Sequence, residues 1–102
     1  MQMTKFKIKP VVFMPDLSVV IEILEEVSED KTVPRNVKNS VVKAKEHLAN
    51  ESLDMEFRVN SAISILDEIA NDINLQPYSR TQIWNALSML ETLNNEVKKN
   101  GG

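Results

Sequence analysis

Three sets of side chains in this sequence have types and spacings that could do chemistry. One is acidic: Glu25, Glu26 and Asp30 return later as Asp67, Glu68 and Asp72. Oxygen-rich clusters of this kind hold Mg or Ca ions when they converge. Another is basic: Lys31, Arg35, Lys38 and Lys45 recur along one side of a segment and, with Lys5, Lys7 and Lys9, could track a phosphate backbone. The last is Tyr78, Arg80 and Trp84, beside Asn85. Arg80 and Trp84 are one helical turn apart, so a guanidinium could lie over the indole for about 0.5–1 kcal/mol, or the pair could anchor a partner.

Each set has a plainer reading. Carboxylates at 25, 26 and 29 fall on the solvent side of a helix whose inward positions are 20, 24 and 27, which makes them a solvated face with weak interhelix ion pairs. Asp30 and Asp72 are also suited to turns, where they accept from loop amides. The basic stripe has little aromatic interleaving and complements acidic neighbours as a solubilising face. Trp84 is expected in the core. His47, between Glu46 and Leu48, is read as a surface histidine near a helix C-terminus, since no nucleophile or orienting acid is marked near it. Gly101 and Gly102 are read as helix-end glycines.

What is missing excludes more. The chain of 102 residues has no cysteine, so disulfides, thiolate-bound zinc, iron-sulfur clusters and thiol nucleophiles are absent. With one histidine, a His-pair metal helix or a Glu-x-x-His iron site has no ligands within one chain. Both glycines lie at the end of the sequence, so no Gly-rich loop can cradle a phosphate. No cofactor and no metal site is expected. Twelve basic against fifteen acidic residues give a formal charge of −3, which argues against a surface that is everywhere a nucleic-acid or membrane electrode. The run Val11-Val12-Phe13-Met14 is too short for a signal or a span, so a soluble, cytoplasmic protein is expected.

The elements that must position these groups are helices, because glycine-free interiors disfavour tight hairpins. Periodicity predicts helices near 17–30, 34–49, 53–71 and 77–98. Their inward stripes are Leu17, Val20, Ile21, Leu24 and Val27; Val37, Val41, Ala44 and Leu48; Met55, Val59, Ala62, Leu66, Ile69 and Ile73; and Ile83, Leu87, Leu90 and Val97. Asp16 is placed to cap the first helix. The fourth starts either at Pro77 or two residues later, where Ser79 and Gln82 have capping-box spacing. Met1 to Pro15 matches no helical period and is read as an extended or disordered arm, with residues 16–102 as one helical domain. An alternative reading makes Met14 the initiator.

Sliding the sequence by 42 residues sets Val20-Ile21-Glu22-Ile23-Leu24 on Ala62-Ile63-Ser64-Ile65-Leu66, and Val41, Ala44 and Leu48 on Ile83, Ala86 and Leu90. The chain reads as a duplicated helical hairpin. Two hairpins closing on each other make an antiparallel four-helix bundle; the alternative is an open, HEAT-like pair. Leu24 and Leu66 should then be equivalent buried positions. The segments Ile65-Leu66-Asp67-Glu68-Ile69-Ala70-Asn71-Asp72, Arg80-Thr81, Ile83-Trp84-Asn85 and Thr32-Val33-Pro34-Arg35-Asn36, with Pro77, resemble the small archaeal proteins grouped as uncharacterised protein family 0147. That resemblance covers about Leu17 to Leu93 and implies a compact helical bundle and an archaeal source. It brings no activity, cofactor or catalytic residue.

Repeated hairpins offer helix faces but no convergent reactive set, so the sequence predicts a non-enzymatic protein-interaction module, an adaptor or scaffold. Its partner would be an unknown protein or a second copy of the chain, with no membrane role, and Tyr78, Arg80 and Trp84 are the candidate contact residues. The alternative is an accessory nucleic-acid-binding protein using Lys31, Arg35, Lys38, Lys45 and the arm, which the charge balance disfavours.

Overall fold

A computed structural model of the chain describes residues 16–101. It contains four helices, α1 (Leu17–Glu29), α2 (Arg35–Ala49), α3 (Met55–Ile69) and α4 (Pro77–Gly101), and no strand among the described residues. The expected arm, Met1 to Pro15, lies outside the described residues, as does the side chain of Val97.

Each helix packs on two neighbours: α1 on α2 and α4, and α3 on α2 and α4. The contact between α1 and α4 closes the square, so the two hairpins form a bundle and not an open pair. The inward stripes meet as one core of Val20, Leu24, Val27, Val37, Val41, Ala44, Leu48, Val59, Ala62, Leu66, Ile83, Ala86 and Leu90, all fully buried. Fully burying a side chain of Val or Leu size contributes about 1.5–3 kcal/mol. Leu24 and Leu66 occupy equivalent places, as the duplication requires.

Helix starts follow local chemistry. The Asp16 carboxylate accepts from the Ser18 amide at 3.1 Å and begins α1. α4 begins at Pro77, where the missing N–H costs nothing. Ser79 is therefore not a cap; it turns into the core and is fully buried.

Two stripe assignments and one core expectation are corrected. Ile73 is 91% exposed because α3 stops at Ile69 and the chain turns before the stripe can continue. Met55, in the first turn of α3, is exposed as well. Trp84, expected in the core, is 56% exposed. It directly follows Ile83, which holds the inward position, so a turn of about 100° places the indole outside.

The repeat is finer than a duplicated hairpin, because all three connections share one hydrogen-bond pattern. In each, an Asp or Asn amide donates back to the third residue before it: Asp30 to Val27, Asn50 to His47, Asp72 to Ile69. In each, the Asx side chain accepts from the amide two residues on: Thr32 at 2.8 Å, Ser52 at 3.1 Å, Asn74 at 2.8 Å. The Asx carbonyl then accepts from an apolar residue three positions on, which is Val33, Leu53 or Leu75. In these Asx turns a side-chain acceptor closes each bend, which is how a glycine-free interior makes three tight reversals.

Candidate functional site

Eight residues after each Asx, in the first turn of the next helix, stands a cation: Lys38, Arg58 and Arg80. Arg58 is only 9% exposed and donates to the Leu48 carbonyl through Nε at 3.1 Å and through Nη2. Arg80 donates through Nη1 to the Ala70 carbonyl and through Nη2 to those of Asp72 (2.9 Å) and Leu75 (3.2 Å). Both guanidiniums thus satisfy carbonyls at or just beyond the end of the preceding helix, where the helix dipole favours positive charge. Local sequence does not mark Arg58 for this role. Its signal was the shared spacing of the three turns, visible only when Asp30, Asn50 and Asp72 are aligned at steps of 20 and 22 residues.

The two aspartates sit at the same end of the bundle, each tied to the opposite hairpin. Asp30 accepts from Ser79 Oγ in α4 at 3.4 Å, and Asp72 accepts from Asn36 Nδ2 in α2 at 3.1 Å. Thr32 donates to Asp30 through both hydroxyl and amide, and with Ser79 and Lys38 this lowers the Asp30 pKa despite some desolvation. The Asn74 amide, the Asn36 side chain and the Arg80 charge lower that of Asp72. These carboxylates are thus spent on turns and cross-links. Among the described residues no three His, Asp or Glu side chains gather as a metal site. Glu25 faces Lys45 at 3.9 Å and Glu26 accepts from Gln82 at 2.9 Å, so α1 is laced to α2 and α4.

The basic set is divided. Lys45 is engaged with Glu25, while Arg35 and Lys38 line a cleft of about 480 Å³ with Val33 and Asn39. Lys31 is exposed in the turn before it. His47 packs edge-on to the exposed ring of Phe57, with centroids 6.1 Å apart, at the other end of the bundle.

The third set separates too. The Arg80 guanidinium is committed to carbonyls, and Tyr78 and Trp84 are both exposed. Six positions apart on α4, they project about 120° from one another. A cleft of about 370 Å³ lies on the Trp84 side, lined by Leu75, Pro77, Arg80, Thr81, Trp84 and Asn85. It is the counterpart of the Arg35–Lys38 cleft: Leu75, Pro77, Arg80 and Thr81 stand 42 residues after Val33, Arg35, Lys38 and Asn39. The same niche is polar in one hairpin and apolar in the other. Ile73, in the turn before α4, adds further exposed apolar surface.

No described helix is long and apolar enough to cross a membrane. The profile of Uncharacterised protein family (UPF0147) matches residues 13–93, and the chain belongs to that family. It is 45% identical over 73 residues to a UPF0147 protein of Methanosarcina mazei, covering 72% of this chain and 78% of the relative. It is 46% identical over 69 residues to one from Methanocaldococcus jannaschii, covering 68% and 74%. The crystal structure of the unknown-function protein MMP1188 superposes with a TM-score of 0.71 at 40% identity, covering 86% of this chain and 97% of that one.

Proposed function

We propose that this member of the UPF0147 family is a small, non-enzymatic protein-interaction module of the cytoplasm that docks a partner on the outer face of α4. The observation that carries the reading is the exposure of Trp84, in a helix whose inward positions are filled by Ile83, Ala86 and Leu90. A large indole left outside a complete core, over a cleft floored by Leu75 and Pro77, has the composition of an interface anchor. The polar groups nearby support binding over catalysis, since Arg80 and Asp72 are consumed by the fold.

The test compares tagged full-length protein with its Trp84→Ala variant in capture from a cell extract. The wild type is expected to retain a partner that the variant loses at unchanged melting temperature. Equal retention by both, or retention by neither, overturns the reading.

Nucleic-acid binding is favoured by one observation, the cleft lined by Arg35 and Lys38. It has weaker support, because Lys45 is drawn to Glu25 and no aromatic residue lines that cleft for base stacking. Steeply salt-dependent retention of an oligonucleotide, lost on Arg35→Ala with Lys38→Ala, would favour it.

A further inference from the structure

We propose that the cleft at the start of α2 is a binding site for a phosphomonoester group, held between Arg35 and Lys38. The site is separate from Trp84 and does not depend on what docks there.

The walls of this cleft are Val33, Arg35, Lys38 and Asn39, so two cations and no carboxylate line a volume of about 480 Å³. Pockets of that size hold small molecules. From Lys31 to Lys45 the sequence has five basic residues and no acidic one. Glu29 and Asp30 precede that stretch, and Lys31, Arg35 and Lys38 outnumber them. Asp30 is the carboxylate that feels the Lys38 charge, and it does so more weakly than it feels its hydrogen bonds to Thr32 and Ser79.

The pseudo-symmetric niche shows what such a cation does when the fold claims it. Arg80 stands 42 residues after Lys38 and donates to the carbonyls of Ala70, Asp72 and Leu75. Among the described residues no side-chain hydrogen bond or ion pair holds Lys38 or Arg35. Arg35 itself stands where the other niche has Pro77. The first hairpin thus has two cations where the second has one, and neither is tied to the turn.

Charge and shape select the ligand. A phosphomonoester carries about −1.5 to −2 charges at pH 7, which matches two cations where a carboxylate or a phosphodiester supplies a single negative charge. A guanidinium takes two phosphate oxygens as a planar fork, and an ammonium takes a third as a point charge. The Asn39 amide lines the same cleft and can donate to a further oxygen or to the group esterified to it. A phosphate backbone needs a longer track, and Lys45, two turns on from Lys38, is drawn to Glu25 at 3.9 Å.

The probe is inorganic phosphate at fixed ionic strength, titrated into the full chain and followed by backbone amide chemical shifts. Saturable shifts are expected at Val33, Arg35, Lys38 and Asn39, and none with acetate in its place. Arg35→Gln and Lys38→Gln, both at unchanged melting temperature, should each weaken binding about tenfold. Lys43→Gln removes an exposed charge of the same helix outside the cleft, and both it and Trp84→Ala should bind as the wild type does. A sugar phosphate in solution and a vesicle containing phosphatidic acid present the same group from two sources. Binding of either supports the site, and the tighter of the two names the source.

The proposal is overturned if phosphate gives no saturable shift, if acetate acts like phosphate, or if neither cleft variant weakens binding. Lys43→Gln weakening it as much as Lys38→Gln also overturns it, since that marks diffuse charge. So does an oligonucleotide without terminal phosphate that binds more tightly than phosphate and is weakened by Lys43→Gln, which marks backbone tracking. A partner lost from Trp84→Ala in capture, beside phosphate that fails to bind, removes this inference and leaves the docking reading standing.

Discussion

The guanidinium of Arg58 closes the end of the helix before its own, donating through two nitrogens to the carbonyl of Leu48 ten residues earlier. Arg80 repeats that reach of ten residues onto Ala70. Each therefore joins two successive helices through the turn between them. Arg58→Met keeps the apolar stem and removes the donors, leaving the Leu48 carbonyl buried without them. The expected loss is about 1–3 kcal/mol, the usual cost of an unpaired buried acceptor. Arg58→Lys should recover only part, because one ammonium cannot reproduce a two-nitrogen fork. Denaturant unfolding of the three proteins checks the order; Met and Lys variants as stable as the wild type would contradict it.

Leu24 and Leu66 share a place in the two hairpins and are both fully buried. Truncating either to Ala should cost about 2–5 kcal/mol, combining lost transfer energy with an unfilled cavity. The pseudo-symmetric core predicts similar losses at the two sites. Chemical denaturation midpoints that fall for one variant and stay fixed for the other would show that the halves do not share a core in the way their register implies.

The helices were legible because their apolar positions recur at three and four residues, and a period survives in sequence without knowledge of neighbours. The role of Arg58 was not, since a cation at the start of a helix has many uses and only the folded turn shows a carbonyl within reach. Trp84 was misplaced for a related reason. Composition assigns a lone tryptophan to the core, but Ile83 and Ala86 fill the inward positions on either side and leave the indole none. Likewise Ile73 fits the α3 period, yet the Asx turn at Asp72 ends the helix before that residue can turn inward. The repeated carboxylates were visible as a pattern, and their plainer reading as turn residues is the one the hydrogen bonds of Asp30 and Asp72 bear out.

Those two aspartates give the stability a defined pH dependence. Thr32 and, more weakly, Ser79 and Lys38 hold the Asp30 carboxyl below its usual 3.8, and the Asn74 amide, Asn36 and Arg80 do the same for Asp72. A lowered native pKa means that the folded state binds the proton less readily than the unfolded one. The stabilisation is thus fully present above the unfolded value and is lost as pH falls through the native one. Asp30→Asn with Asp72→Asn should melt below the wild type near neutral pH, and the gap should narrow once the pH drops under about 3.8. Melting curves across that range decide it, and a gap that stays constant into acid would contradict the assignment.

Trp84 should be dispensable for folding. Its indole is more than half exposed, and the core on either side of it is complete without it. Exposed substitutions away from caps, cavities and buried networks usually change stability by no more than about 0.5 kcal/mol. Trp84→Ala also gives up the buried fraction of a large ring against the cleft, so the expected loss is under about 1.5 kcal/mol, below the range for a fully buried aromatic. Leu90→Ala, six residues further along the same helix but fully buried, is the internal control and should cost about 2–5 kcal/mol. Parallel urea titrations of the two variants, followed by far-ultraviolet circular dichroism because one of them lacks the fluorophore, measure the difference. A Trp84→Ala loss as large as that of Leu90→Ala would mean that the indole belongs to the core, and the surface around it would no longer stand as a docking face.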